Sequence, residues 1–355
     1  MTDPTDTHTH TDTHTDSHTN SHTHTDTGKV LAIASHVVSG FVGNTTTTFV
    51  LNLLGLETGS LNTVQFSNHS GYRQLRGFRT SAAQILEIFE GLEQSGLLEG
   101  FDMLLTGYVP GEEELRAVGK IAREVKKRGG GFWLLDPVMG DQGKLYVSEG
   151  VVPVYKSLIH HADLIVPNQF ETELISGVKV TSLATLSTAL DTLHRMYLIP
   201  HIVITSVTFD GASKMACAGS SITSSGASRK FVVDVPIIDG FFSGTGDLFA
   251  ALTLARLREH SAAAGLLSTA GWIPPDETAT LDLPLAKAVE VVLGSMHLVL
   301  KKTKSTRDRI LLSQAAEQGE KERHVQVTRA SELRLVQSQE ELLRPGLRYE
   351  ATVLP

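Results

Sequence analysis

The run MLLTGYVPGEEELRAVGKIAREVKKRGGGFWLLD, residues 103–136, sets two short apolar stretches, Met103–Thr106 and Phe132–Asp136, on either side of a helical pattern at Glu112–Lys127. The central part places apolar side chains at helical spacing, whereas the flanking runs are short and continuously apolar, as buried strands are. The alternation continues outward. Val30–Ala34, Asp163–Val166 and His201–Thr205 read as further strands, and Ala82–Gln94 and Leu183–Tyr197 as further helices. This is the pattern of a mainly parallel sheet covered by helices. Two later runs, near Met215 and at Phe231–Val235, lie close together and predict an antiparallel edge. Polar residues gather where the predicted strands end: Ser35-His36, Thr106-Gly107-Tyr108, Asp136, Asn168 and Thr205-Ser206. In open α/β sheets that edge binds ligands.

Composition narrows the partners. The chain has 355 residues, 41% hydrophobic and 20% charged, an ordinary globular mix. No apolar run reaches the roughly 20 residues of a membrane span. The single cysteine, Cys217, excludes an intramolecular disulfide framework and fits a reducing compartment, so a cytosolic location is expected. Net charge is -8, but five aspartates fall in residues 1–28, which hold no Lys or Arg, leaving -3 for the rest. No basic stripe points to nucleic acid or an anionic membrane. Lys301-Lys302-Thr303-Lys304 reads as a solvated helix end. Residues 1–28 repeat Thr, His, Asp and Ser and cannot bury enough surface to order themselves. Their histidines (His8, His10, His14, His18, His22, His24) could chelate zinc or nickel weakly, but a low-complexity tail without a defined site is the plainer reading. Residues 29–355 read as one domain.

The chemistry concentrates in Asp239-Gly-Phe-Phe-Ser-Gly-Thr-Gly-Asp-Leu-Phe-Ala-Ala251. Glycines at 244 and 246 permit a tight turn and close approach of backbone to a ligand. The helical run Asp247–Arg258 follows, so the free N–H groups of a helix start face the turn and can hold a phosphoryl group. Asp247 is then placed to take a proton from an attacking alcohol. The competing reading is an aspartate that only caps the helix. No Gly-x-x-x-x-Gly-Lys-Ser/Thr sequence is present, so a P-loop nucleoside triphosphatase is not supported. Gly40-Phe-Val-Gly43-Asn44 lacks the third glycine of a dinucleotide fingerprint.

Ordered blocks across residues 29–354 resemble the pyridoxal kinases, a family of the ribokinase-like superfamily. They are Ser35-His36-Val37 with Gly40-x-Val42-Gly43-Asn44, Val64–Tyr72, Leu105–Tyr108, Asp136–Asp141, Tyr146-Val147, Pro153–Tyr155, Pro167–Glu171, Ile204–Ser206, Gly244–Phe249, Glu332–Ser338 and Ala351–Leu354. The resemblance implies a three-layer α/β/α sandwich around a mostly parallel sheet. It implies ATP-dependent phosphorylation of the 5′-hydroxyl of pyridoxal, pyridoxine or pyridoxamine, usually by a homodimer. Carried over by position, Asp247 is the base, and Gly244, Thr245 and Gly246 form the anion hole. Ser35, Val42, Val64, Phe66, His69, Ser70 and Tyr108 surround the vitamin ring. Asp136, Asp141, Tyr146, Asn168, Glu171, Thr205, Ser206, Phe242 and Thr245 serve ATP, with Asp136 and Glu171 near its magnesium. A monovalent cation, usually potassium, is implied near Asp136.

The sequence departs from the family pattern in places. Ser70 stands where threonine is frequent, a mild exchange of hydroxyls. Val166 replaces a common threonine, so one oxygen near the monovalent cation is in doubt. The stretch 140–146 is short for a loop over ATP, and Leu75 stands near a position that can be aromatic. The Gly- and Ser-rich segment 211–229 is expected to be a flexible flap over the adenine. Two rival functions remain: a kinase for another small alcohol, such as a hydroxymethylpyrimidine or a sugar, and a catalytically silent binding protein. The second needs a missing base or a ruined anion hole, and neither is seen.

Overall fold

The computed structural model describes residues 28–129, 131–209, 211–313 and 319–355. The histidine-rich segment, up to residue 27, lies outside the described residues. In chain order the elements are β1 (Lys29–Val37), α1 (Asn44–Leu53), β2 (Glu57–Phe66), β3 (Gly77–Arg79), α2 (Ala82–Gln94), β4 (Met103–Thr106) and α3 (Glu112–Gly129). They continue with β5 (Phe132–Leu135), the hairpin β6 (Gly140–Asp141) and β7 (Lys144–Leu145), α4 (Val151–Leu158), β8 (Leu164–Ile165), α5 (Gln169–Ser176), α6 (Leu183–Tyr197) and β9 (His201–Val207). The chain closes with β10 (Lys214–Ile222), β11 (Ser228–Pro236), α7 (Thr245–Ala263), α8 (Pro284–Leu312), α9 (Glu320–Ala330), α10 (Gln339–Leu343) and β12 (Thr352–Val353).

Ten strands form one sheet in the order β12-β11-β10-β9-β8-β5-β4-β1-β2-β3. The pairs from β2 across to β9 are all parallel, and antiparallel strands close both edges. Successive residues of the central strands alternate between two cores, as a pleated strand covered on both faces requires. Leu31, Ile33, Leu104, Trp133, Leu135, Ile202 and Ile204 pack with α2 to α6. Val30, Met103, Leu105, Phe132, Leu134 and Val203 pack with α1, α7, α8 and α10. The result is the three-layer α/β/α arrangement.

Three expectations need correction. The segment 211–229 is mostly strand, since β10 and the start of β11 occupy it, pair residue by residue and bury Cys217, Ala218, Ser220 and Ser221. Its small residues serve packing: Gly219 pairs with Phe231, whose ring atom would lie 2.2 Å from any Cβ at 219. The turn at 223–227 joins β10 to β11 beside the start of β9, at the end of the sheet opposite the polar strand ends, so it cannot overhang a ligand there. The antiparallel pair β10–β11 is also not the edge, because β12 adds one more strand through Phe231 and Val353. Finally, Lys301–Lys304 lies inside the 29-residue α8, where Lys302 reaches the Gln337 carbonyl and pairs with Glu341.

Candidate active site

Because β1, β4, β5, β8 and β9 run in parallel, their C-terminal ends form a single edge, and the polar residues anticipated there come together. Buried Asn44 at the start of α1 stitches this edge: its Nδ2 donates to the carbonyls of Ala34 and Leu61 and to Asn62 Oδ1, at 2.8–3.2 Å. The Gly107 N–H bonds to the Ile33 carbonyl and the Asp136 N–H to that of Thr106. Thr106 in turn accepts from the indole N–H of Trp133 at 3.0 Å.

Helix α7 begins at this edge. Its N-cap, Gly244, has φ 83°, and a Cβ there would lie 2.1 Å from the Phe41 carbonyl oxygen. Glycine is therefore required both by conformation and by the loop packed against it. The N-cap is a glycine, so no cap side chain takes up the amides at the start of the helix. Asp247 sits in that first turn, not at the cap position. Its carboxylate accepts from the N–H groups of Gly43 and of Asp247 itself, yet burial raises its pKa to about 6. Gly107 borders it: a Cβ there would be 3.9 Å from Asp247 Oδ1. Gly246 borders Asp136, whose Oδ2 lies 3.9 Å from the corresponding position.

Asp136 is buried at the end of β5. Burial raises its pKa well above the usual carboxylate range, and the neighbouring charges of Glu171 and Asp247 raise it further. Among the described residues its carboxylate accepts no hydrogen bond. Glu171 is held differently. Its Oε1 accepts from the N–H groups of Met139 and Gly140 at 2.8 and 3.4 Å, and its Oε2 from that of Asn168 at 2.9 Å. Asn168 caps α5 by accepting from the Glu171 N–H, and its Nδ2 donates to the Gly140 carbonyl at 2.8 Å. This reciprocal cap fixes both α5 and the 139–140 backbone. Burial raises the Glu171 pKa to about 7 despite those three amides.

The other nucleotide candidates differ in setting. Asp141 lies in the β6–β7 hairpin, and Tyr146, which leaves that hairpin, is 59% exposed. Thr205 and Ser206 end β9, with the Thr205 N–H on the Pro167 carbonyl. Phe242 turns inward. It is only 8% exposed, packs in the second core and lies under the Arg307 guanidinium at 5.5 Å, while the adjacent Phe241 is 69% exposed. Val166 likewise packs in the core.

On the other side of Asp247, Gly43 places Ser35 close by, since a Cβ at 43 would be 2.3 Å from Ser35 Oγ. Val42 touches the Gly244 turn, its Cγ1 3.3 Å from the Cβ position there. Val64 is fully buried in β2 beside its partner Arg79, so it supports the wall from behind. Phe66 is partly exposed, Ser70 and Leu75 are exposed, and His69 is buried. Tyr108 is half-buried; burial raises its pKa, with Arg79 opposing. Residues 69–71 reach the turn directly, with Ser243 Oγ 3.6 Å from the Cβ position of Gly71.

Three features escaped the sequence reading. Gly43 supplies the hydrogen bond to Asp247. Buried Tyr155 lies near Asp136, Glu171 and Tyr108, with no hydrogen-bond partner for its hydroxyl among the described residues. Glu332, distant in sequence, contacts the 69–72 loop. All three residues stand within the blocks that resemble the family, but the sequence does not say that Gly43 meets Asp247 or that Glu332 meets the 69–72 loop.

Comparison with known proteins assigns the chain. It is 35% identical to the pyridoxal kinase of Sus scrofa over 340 residues, covering 92% of this chain and 95% of that one. Against the Homo sapiens pyridoxal kinase the identity is 34% over 339 residues, with 92% and 98% covered. The chain belongs to the pyridoxal kinase family. Among solved structures, the pyridoxal kinase of Leishmania donovani in complex with ADP and pyridoxamine superposes with a TM-score of 0.76 at 30% identity, covering 92% of this chain and 99% of that one. A family model described as phosphomethylpyrimidine kinase also matches residues 102–270. That span holds Asp136, Asn168, Glu171 and the Gly244 turn but omits Ser35 and the 64–72 block. The pyridoxal kinase likeness extends through both omitted parts.

Proposed function

We propose that this family member transfers the terminal phosphoryl group of ATP to the 5′-hydroxyl of pyridoxal, pyridoxine or pyridoxamine, with Asp247 as the base. One observation carries the proposal: a carboxylate with its pKa raised to about 6 stands in the first turn of a helix whose N-cap, Gly244, has no capping side chain. Such a group is ionised at neutral pH and still basic enough to share a proton with an alcohol in the transition state. The alcohol gives its proton to Asp247 while its oxygen bonds to the γ-phosphorus; the bond from that phosphorus to the ADP oxygen breaks, and ADP departs. The amides of Gly244, Thr245 and Gly246 offset the charge on the transferring group. Ser35, His69, Ser70 and Tyr108 orient the ring, and Asp141, Tyr146, Thr205 and Ser206 the nucleotide.

The residues present suit a divalent cation with the nucleotide. Asp136 is a buried carboxylate without a hydrogen bond among the described residues, pressed by two other carboxylates, an arrangement that a cation relieves. Among the described residues no three His, Cys, Asp or Glu side chains cluster to hold an ion by themselves. The remaining positions would fall to phosphates and waters, as magnesium prefers. Both Glu171 oxygens are engaged by backbone amides, so Glu171 would act through water. Magnesium, when bound, neutralises phosphate charge. A monovalent cation near Asp136, a homodimer and a cytosolic location rest on the family resemblance, the last also on the single buried Cys217.

A second reading, a kinase for a hydroxymethylpyrimidine, is favoured by the model matched at residues 102–270. A panel of alcohols with Mg·ATP, followed by ADP release, separates the two. Turnover of B6 vitamers above all other alcohols is expected. Turnover of hydroxymethylpyrimidine with none of pyridoxal would overturn the proposal.

A further inference from the structure

The loop at residues 67–72 closes one side of the candidate substrate site; Ser39, Gln74 and Arg76 hold its start, and residues from far along the chain hold its end. The Tyr72 hydroxyl donates to Glu332 Oε1 at 2.6 Å. The His69 and Tyr72 rings pack with centroids 4.9 Å apart. His324 Nε2 donates to the Gly71 carbonyl at 2.8 Å. Glu332 is itself fixed, because Leu333 and Leu335 beside it are buried in the second core and the Arg334 N–H bonds to Thr303 Oγ1 at 3.1 Å. It is a carboxylate on a rigid post.

The state of His69 completes the picture. Its Nδ1 accepts from the Gly71 N–H at 3.2 Å, so in the neutral ring the proton resides on Nε2. That Nε2 is buried, has no hydrogen-bond partner among the described residues, and stands 4.0 Å from Glu332 Oε1 in a side chain only 9% exposed. A buried donor left without an acceptor is costly, and a small advance of the loop toward Glu332 would satisfy it. Gly40 lies between them, its Cβ position 3.0 Å from Glu332 Oε1 and 3.6 Å from His69 Cδ2, so there is no room for a bulkier wall.

We infer that Glu332 is a positioning residue for the phosphoryl acceptor: by holding Tyr72 and facing His69 it sets where His69 and Ser70 meet the vitamin ring, without touching the nucleotide side. The inference rests on the reading of the site as a B6-vitamer kinase. It goes beyond that reading in assigning the positioning of the acceptor to a residue far along the chain.

The test uses the full chain and the variants E332Q, Y72F and the double variant, with pyridoxal varied at saturating Mg·ATP and ATP varied at saturating pyridoxal. Each single variant is expected to raise the pyridoxal KM about tenfold, a common consequence of losing one hydrogen bond to a charged group. The ATP KM should stay within about twofold, and the loss should fall more in pyridoxal KM than in kcat. The double variant should be no worse than the poorer single one, since E332Q removes the charge and Y72F the hydroxyl of one shared contact. Y72F deletes a single oxygen, so it remains informative should E332Q fail to fold. Unchanged pyridoxal KM in the folded variants, parallel shifts of both KM values, or additive losses would each overturn the inference alone. A wild-type chain that turns over no vitamer would instead sink the reading beneath it.

Discussion

The backbone N–H of Gly43 donates to the carboxylate of Asp247, so the loop that leaves β1 holds the candidate base against the first turn of α7. That loop also carries Val42 and abuts Ser35, which couples the acceptor side of the cleft to the group that would deprotonate it. Replacing Asp247 with Asn keeps the shape and removes the base. Turnover should fall at least about 10²-fold while nucleotide binding persists, which steady-state kinetics and equilibrium ATP binding would check. In the wild type kcat/KM should fall as pH drops through about 6, because only the ionised carboxylate can accept the proton. A wild-type pH profile flat between 5 and 7 would contradict the assignment.

The same carboxylate bears on stability with the opposite sign. Its folded pKa, about 6, lies above the unfolded value, so the native state binds the proton more tightly. The favourable contribution is complete below the unfolded pKa and is lost as pH rises through the folded one. Above that point the wild type carries the cost of a buried charge, and Asp247→Asn does not. The variant should therefore melt higher at pH 7.5, by about 2–4 °C given partial solvent access, with the gain shrinking toward pH 4. Scanning calorimetry at the two pH values would check it.

Gly244→Ala tests the turn. An alanine must adopt φ near 83°, at a cost of about 1–3 kcal/mol, and must also displace the Phe41 carbonyl oxygen. Both a lower Tm and at least about a tenfold loss of kcat are expected. Activity at the wild-type level would show that the amides of this turn do not need their present positions.

Asp136→Asn addresses the cation. The substitution removes the buried carboxylate that lies between Glu171 and Asp247 and is the best placed to meet an ion. The magnesium concentration giving half-maximal rate should rise at least about tenfold, with the pyridoxal KM little changed. A magnesium titration at fixed ATP measures this directly, and an unshifted midpoint would remove Asp136 from the cation's shell.

How much of this was legible in the sequence follows from what each residue has to do. The central strands were readable because both faces are buried, which forces continuous apolar runs such as Phe132–Leu135. β2 was not, because its Glu57–Phe66 sequence mixes exposed and buried positions and carries polar residues throughout. The Gly- and Ser-rich 211–229 segment suggested mobility, whereas Gly219 is small to admit Phe231 across the strand pair. Asp247 and its glycines stood out because turn, helix start and carboxylate lie within a few consecutive residues. That Phe242 and not Phe241 turns inward was not legible, because composition does not say which of two adjacent aromatics does so. The Glu332–Tyr72 contact joins positions 260 residues apart, and only folding brings them together.

Asn168 offers the sharpest separation of structure from chemistry on the nucleotide side. Its carbonyl oxygen caps α5, its amide holds the Gly140 carbonyl, and its backbone N–H anchors Glu171, whose other oxygen holds Met139 and Gly140. Asn168→Ala removes the first two links together and leaves the third. Loss of the cap alone should cost about 1 kcal/mol, seen as a modest drop in Tm. Freeing the Gly140 carbonyl unties the hairpin that carries Asp141 and leads to Tyr146, so the ATP KM should rise about fivefold to tenfold by the same hydrogen-bond reasoning. The pyridoxal KM should hold, because the acceptor loop at 67–72 is braced from Glu332 and not from α5. Aspartate at 168 keeps the capping oxygen but cannot donate to Gly140, so Asn168→Asp should recover the Tm and not the ATP KM. If both recovered together, the carbonyl tether would be irrelevant to nucleotide binding.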